Sequence, residues 1–170
     1  MNETTERPGR ALGLDIGERR IGVAVSDELG LVASPVATVD LGREGLERVV
    51  ELIDRYAPSV VVVGLPVTLR GREGPQAAET RRFVDRLRPH VRCPIVFWDE
   101  RLTSTAAERL LTESGVQRKR RREKIDAVAA ALMLQSYLDA QRASVGRGRR
   151  KGSRDEGDEA DESSGTRASS

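Results

Sequence analysis

The sequence predicts an α/β domain in which a sheet is flanked by helices. Near the N-terminus, large apolar residues alternate with small ones, which is the period-two pattern of strands. The apolar residues after Gly42 change to helical spacing. A continuous β-branched run, Val60 to Val63, then predicts a central parallel strand, because such strands are covered on both faces.

Three strand patterns come first, at residues 12–17, 21–26 and 31–39, with turns near Glu18–Arg20 and Leu29–Gly30. In the first of them, large apolar residues alternate with Gly13, Asp15 and Gly17. We therefore expect Asp15 to point away from the large side chains of its own strand.

The later elements alternate between helices and strands. The first helix is predicted to end at Tyr56 before a proline, and Pro75 is placed to start the second. A fifth strand is predicted at Ile95–Trp98, and Thr105 and Glu108 are spaced as the capping box of a further helix. A last helix, from about residue 122 to residue 142, is apolar nearly all round and should be buried against the sheet.

We expect one ordered domain at residues 10–142, between a flexible leader at 1–9 and a disordered charged tail at 143–170. The chain of 170 residues is 38% hydrophobic, which is enough for one core. The tail has too few apolar side chains to offset the entropy of ordering. No stretch approaches the roughly 20 apolar residues of a membrane span, and no signal peptide is visible. With Cys93 as the lone cysteine, we expect a cytosolic protein without disulfides.

Three acidic residues stand in settings that local structure does not explain. Asp15 interrupts a strand, Glu100 follows one, and Asp126 heads an apolar helical stripe. Ionised groups taken out of water cost several kcal/mol unless they are paired or bound to metal. Divalent ions held by carboxylates can activate water and shield phosphate charge, so the three residues predict a phosphodiesterase site for Mg²⁺ or Mn²⁺.

Each carboxylate has a local alternative. Asp15 could be a turn residue before Gly17, and Glu100 could be solvated in a connection. On chemistry alone, Asp99 is as plausible as Glu100. Asp126 could stabilise the positive end of its helix, an effect of about 0.3–1 kcal/mol. The residues by themselves leave these alternatives open.

A basic run precedes Asp126. Residues 118–124, Arg-Lys-Arg-Arg-Arg-Glu-Lys, place six cations in seven positions, although the net charge of the chain is only +2. Such a run is often a solvated face, but it also attracts polyanions and makes their binding dependent on salt. We favour phosphate contact. Arginines in predicted loops are weaker candidates for the same role: Arg19, Arg20, Arg70, Arg72 and Arg101.

Four segments, in order, resemble the YqgF family, which is also called RuvX. They are Leu12–Ala24, Val62–Pro66, Trp98–Ser104 and Ile125–Leu138, within residues 11 to about 141. The resemblance implies an RNase H-like fold: a five-stranded mixed sheet, flanked by helices, whose first three strands form an antiparallel meander. It also implies the family's carboxylate triad at Asp15, Glu100 and Asp126, which favours Glu100 over Asp99.

The family is regarded as a nuclease that processes the 5′ end of precursor 16S rRNA, and was earlier proposed to be a Holliday-junction resolvase by likeness to RuvC. The resemblance therefore implies a nucleic-acid partner: precursor rRNA, structured DNA or a ribosomal precursor particle. This chain departs from the family after Pro66, where Val67 to Gly71 replace the usual Asn and Asp before the next glycine. In the implied sheet, Gly64 ends the strand between those bearing Asp15 and Glu100, and we expect its missing side chain to leave the metal cavity open.

Two other protein classes compete with this interpretation. Sugar kinases and actin-like ATPases also place Asp beside glycines in a first hairpin, but they need two such domains around a nucleotide cleft. A non-catalytic nucleic-acid-binding module of the same fold would not need three acids. The choice between RNA and DNA and the oligomeric state do not follow from the sequence.

Overall fold

The computed structural model describes residues 9–100 and 118–151 of the chain. Its strands are β1 (Ala11–Ile16), β2 (Arg20–Ser26), β3 (Ala33–Asp40), β4 (Val60–Leu65) and β5 (Ile95–Asp99). They form one sheet in the order β3-β2-β1-β4-β5, in which β1, β2 and β3 are antiparallel neighbours and β4 runs parallel to both β1 and β5. This mixed sheet, with its antiparallel meander, confirms the RNase H-like fold.

In the part of the chain that the structure describes, three α-helices cover the two faces of the sheet: α1 (Gly45–Tyr56), α2 (Pro75–Leu87) and α3 (Arg118–Lys151). The apolar stripes of α1 and α2 pack on Leu12, Leu14 and Ile16 of β1. Helix α3 packs on the opposite face, where the strands contribute smaller side chains such as Ala11 and Ala24. A short 3₁₀ turn, Arg88–His90, follows α2.

The central position of β4 explains its β-branched run. Val61 and Val63 lie in the core under α1 and α2, whereas Val62 lies in the core under α3. All three side chains are fully buried. The run therefore has no solvent face on which a polar residue would be favoured.

Helix α3 is longer than the sequence predicted, since it begins at Arg118 and ends at Lys151. Its middle is packed on the sheet, but residues 139–146 are exposed. A helix nucleated by packing gains one hydrogen bond for each residue that it adds, so it can extend past its buried part. The predicted boundary at residue 142 was thus too early. The rest of the tail and the helix expected after Thr105 lie outside the described residues.

Within the described residues, no helix combines the length and the apolar character that crossing a membrane requires.

Two glycines let α3 approach the sheet. A Cβ atom added to Gly22 of β2 would lie 1.9 Å from the backbone oxygen of Asp126, and one added to Gly13 of β1 would lie 3.0 Å from the Cβ of Leu134. Only a residue without a side chain permits so close a helix backbone at Gly22. Because Gly22 is the register partner of Asp15, this contact places Asp126 over the end of β1.

We predict that Gly22→Ala lowers the free energy of unfolding more than Gly13→Ala. Overpacking costs about 1–3 kcal/mol. We expect a loss of this size for Gly13→Ala, because the nearest atom, the Cβ of Leu134 at 3.0 Å, must shift by only a few tenths of an ångström. The loss should be larger for Gly22→Ala, because the new methyl group meets the helix backbone. Urea unfolding measures both, with Gly42→Ala as the control, since nothing lies within 4 Å of a Cβ atom there. Equal losses in the two variants would contradict this account of the helix contact.

Candidate active site

The ends of three parallel strands place the predicted acidic residues side by side. Leu14 pairs with Val63 and Gly64 pairs with Trp98, so β1, β4 and β5 end at the same edge of the sheet. Val62 and Trp98 face α3. By the alternation of strands, Gly64 and Glu100 continue that face, whereas Asp99 follows the opposite one. The alternation of side chains thus explains why Glu100, rather than Asp99, lies on the same face as Asp15.

Asp15 and Glu100 are joined by a side-chain hydrogen bond. Two carboxyl groups can share a hydrogen bond only when one of them keeps a proton. Burial and the negative charge of Asp15 raise the pKa of Glu100 from 4.5 to about 8. Burial also raises the pKa of Asp15, partly offset by the hydrogen bond with Glu100, and the charge of Asp126 raises it further. At neutral pH the pair therefore holds a proton.

The third acid, Asp126, is bound by an arginine. Its Oδ2 accepts a hydrogen bond of 2.7 Å from Nε of Arg20, the first residue of β2. Asp126 lies more than two turns inside α3, which begins at Arg118. The helix dipole acts only within the first turn, so the helix-end alternative for Asp126 was wrong.

Gly64 lies directly against the side chain of Glu100. A Cβ atom added there would lie 2.5 Å from Oε1 and 3.1 Å from Cγ of Glu100. The sequence predicted that the missing side chain keeps a cavity open, and the space it leaves is occupied by the Glu100 carboxyl group. Gly64 thus permits the contact between Glu100 and Asp15.

The three carboxylates do not form a ready metal site. Among the described residues, no group of three or more His, Cys, Asp or Glu side chains is arranged to hold a metal ion. A proton joins two of the carboxyl groups and a guanidinium neutralises the third, so positive charge is present at both places. Hard divalent cations prefer carboxylate oxygens. The donor set therefore fits Mg²⁺ or Mn²⁺ in its chemistry, although its oxygens are arranged around other partners.

Sequence reasoning missed the ion pair of Arg20 with Asp126 and the close approach of α3 to Gly22. It treated Arg20 as a weak candidate for phosphate contact, whereas the structure pairs it with Asp126. A signal was present, because Arg20, Gly22 and Ala24 alternate with the large residues of β2. That alternation assigns them to one face, but it does not identify the helix that covers the face.

The loop between β4 and α2 follows Gly64 by one residue in the sequence and is held by contacts of its own. Val67 bridges to Glu73, and Glu73 is paired with Arg81, whose guanidinium lies 4.7 Å from the ring centre of Phe97. At its tip, the side chain of Leu69 is 96% exposed. Two of the candidate arginines, Arg70 and Arg72, are exposed in this loop, and a third, Arg101, lies outside the described residues.

Asp27 has a purely structural role. Its Oδ1 accepts hydrogen bonds from the backbone N–H groups of Leu31, at 2.6 Å, and Val32, at 3.1 Å. These bonds lower the pKa of Asp27 and close the turn between β2 and β3.

Comparisons with known proteins point to one family. The family model described as "RuvX: Holliday junction resolvase" matches residues 9–140. A protein of Roseiflexus sp. (strain RS-1) named "Putative pre-16S rRNA nuclease" is 47% identical over 140 residues, which cover 81% of this chain and 99% of the relative. A relative of the same name from Geobacillus kaustophilus (strain HTA426) is 48% identical over 137 residues, covering 78% of this chain and 99% of its own length.

Among solved structures, RuvC of T. thermophilus in complex with a Holliday junction substrate is similar at 16% sequence identity. The match covers 78% of this chain and 96% of RuvC, with a TM-score of 0.49.

We predict that Gly64→Ala weakens the binding of divalent cations at least tenfold while leaving folding stability nearly unchanged. The new methyl group must displace the Glu100 carboxyl group, which is the end of a flexible side chain and can move at little cost. Loss of a group that orients a ligand typically costs 10- to 100-fold in metal affinity. Isothermal titration calorimetry with Mg²⁺ and Mn²⁺ measures the change, with Gly42→Ala as the control. Unchanged affinity in Gly64→Ala would contradict the role given to this glycine.

We predict that the metal-free protein loses stability as the pH rises towards about 8. The raised pKa of Glu100 means that the folded state holds a proton that the unfolded state releases above about pH 4.5. This contribution to stability is complete below that pH and disappears as the pH rises through about 8. Urea unfolding in EDTA between pH 5 and pH 9 should show the slope in the wild type and a weaker slope in Glu100→Gln. Glu47→Gln, on the exposed surface of α1, is the control, and an unaltered slope in Glu100→Gln would refute the assignment.

Proposed function

We propose, from the premise that this chain belongs to the RuvX family of nucleases, that it is a metal-dependent nuclease that processes the 5′ end of precursor 16S rRNA. The observation that carries the proposal is the placement of Asp15 and Glu100 at one edge of the sheet, where β1, β4 and β5 end together and the Glu100 carboxyl group lies against Gly64. The fold concentrates negative charge at this edge, because burial and the charge of Asp15 raise the pKa of Glu100 to about 8. A bound cation can neutralise such a concentration of negative charge.

Asp15, Glu100 and Asp126 would hold the metal. Bound Mg²⁺ or Mn²⁺ would supply an activated water and shield the charge of the phosphate. The chain itself sets where the acids stand: Asp15 lies in β1, Glu100 directly follows β5 at the same edge of the sheet, and the contact of α3 with Gly22 places the backbone of Asp126. Precise positioning of such groups is the main contribution of the protein to phosphoryl-transfer chemistry.

The basic run supports a polyanionic substrate. Residues 118–124 form the first two turns of α3, the helix that carries Asp126. Cations at the start of a helix oppose its dipole, so the stability of the helix does not explain them. Contact with phosphates would explain them, and Arg70 and Arg72, which are exposed in the loop after β4, are further candidates for such contact.

Precursor rRNA is preferred over DNA because the relatives that match nearly over their whole length are named for pre-16S rRNA. A ribosomal precursor particle is then the natural partner, and the expected cytosolic location belongs to the same proposal. The description of the family model supports a second candidate, cleavage of four-way DNA junctions. A non-catalytic binding module is the third, and cleavage itself distinguishes it.

The test compares two labelled substrates, precursor 16S rRNA with its 5′ extension and a four-way DNA junction, with Mg²⁺, with Mn²⁺ and in EDTA. We expect the wild type to shorten the rRNA precursor only when metal is present. Asp15→Asn should lose at least 100-fold in rate, because it removes a metal ligand. Asp54→Asn, a matched change on the exposed surface of α1, should retain full activity.

Each other result overturns part of the proposal. Cleavage of the junction alone would replace the RNA substrate with DNA. Cleavage in EDTA, by wild-type protein but not by Asp15→Asn, would refute metal dependence. Binding without cleavage of either substrate under every condition would favour the non-catalytic module.

A further inference from the structure

The ion pair between Arg20 and Asp126 occupies one of the three acids of the site. Nε of Arg20 lies 2.7 Å from Oδ2 of Asp126, and the two side chains are 33% and 29% exposed. The charge of Asp126 also reaches Asp15, where it raises the pKa. A guanidinium is therefore bound at the margin of the acidic cluster, within reach of solvent.

We propose that Arg20 is a phosphate-binding residue that holds Asp126 while the site is free of metal and transfers to the substrate phosphate when a divalent cation takes that carboxylate. This inference rests on the proposed nuclease function. It assigns to Arg20 two successive partners, both of them anions with oxygen acceptors.

The ion pair between Arg20 and Asp126 is weak enough for Arg20 to exchange Asp126 for another anion. Pairs between partly exposed side chains contribute only about 0–1 kcal/mol to stability, because solvent screens them and side-chain entropy opposes them. A fold that needed Asp126 merely neutralised would gain little from this pair. The helix itself is already held at this position by the close contact between Gly22 and the Asp126 backbone.

The chemistry of arginine fits a phosphate partner. A guanidinium has five N–H donors in a planar fork that matches phosphate oxygens. The bond to Asp126 uses Nε, so the N–H groups on the two terminal nitrogens lie outside it. Arg20 also follows the tight turn closed by the 2.8 Å hydrogen bond from Gly17 N–H to its own carbonyl oxygen, which fixes its backbone beside the end of β1.

The sum of the charges in a site with cations and substrate also favours a phosphate-binding role for Arg20. Three carboxylates with two divalent cations have a net charge of about +1, and a phosphate under attack has about two negative charges. One more cation is needed for neutrality. Among the described residues, Arg20 is the basic side chain paired with an acid of the cluster.

The experiment compares Arg20→Gln, Arg20→Lys and wild type in two assays. Calorimetry measures the binding of Mg²⁺ and Mn²⁺ without nucleic acid, and cleavage kinetics on the precursor rRNA give kcat and KM. Arg20→Gln removes the competitor for Asp126, so it should bind cations up to about fivefold more tightly. The same variant should lose about 100-fold in kcat, as expected when a donor to developing charge is removed. Arg20→Lys should recover part of kcat, since it keeps the charge but not the fork.

The matched control is Arg48→Gln. Arg48 forms an ion pair of the same 2.7 Å length, with Glu51 on the exposed surface of α1, and this variant should equal the wild type in both assays. Thermal melting of each variant checks that it is folded.

If the wild type binds cations and cleaves RNA, two results would overturn the proposed role of Arg20 and leave the proposed nuclease function intact. One is weaker cation binding in Arg20→Gln, which would make Arg20 a support that positions Asp126. The other is an unchanged kcat in the same variant. If the wild type neither binds cations nor cleaves, the proposed function fails and this inference fails with it.

Discussion

The close contact between α3 and β2 at Gly22 is the constraint on which the candidate site depends. Asp15 and Glu100 are placed by the sheet alone, because their strands end at one edge. Asp126 reaches them from a helix whose backbone touches the sheet at a position that tolerates no side chain. The same helix starts with the basic run, residues 118–124, so the backbone that carries the third acid also carries these six basic residues.

The electrostatics of the site follow from this packing. Three acids brought together at a partly buried edge repel one another, and the metal-free fold relieves the repulsion in two ways. It retains a proton between Asp15 and Glu100, and it pairs Asp126 with Arg20. Both the proton and the guanidinium supply positive charge, which reduces the repulsion among the three acids. The retained proton has a consequence for folding, because its contribution to stability is lost at higher pH.

The two faces of the sheet divide the tasks of the protein. The face under α1 and α2 is an apolar core of large side chains, whose burial stabilises the fold. The face under α3 has glycines and alanines, which let the helix approach closely and leave room for polar groups at one end. Trp98 belongs to this second face, where its ring packs edge-on against Tyr137 and its Nε1 donates a 3.3 Å hydrogen bond to Ser136 of α3. These contacts of Trp98 hold the end of β5, which directly precedes Glu100, against α3.

The order of strands and helices and the buried central strand could be predicted from the sequence, because the spacing of apolar residues shows which face each side chain occupies. The three acids could be named as site candidates because local structure did not explain them. The chemistry of the residues left Asp99 level with Glu100, and only the resemblance to a family separated them before the sheet alternation gave the reason. Tertiary structure alone decided that Asp126 lies deep within α3, that Arg20 is its partner and that Gly22 permits the contact. These facts join residues about 100 positions apart, such as Arg20 and Asp126. Local patterns assign a residue to a face, but they do not identify the distant segment that packs against it.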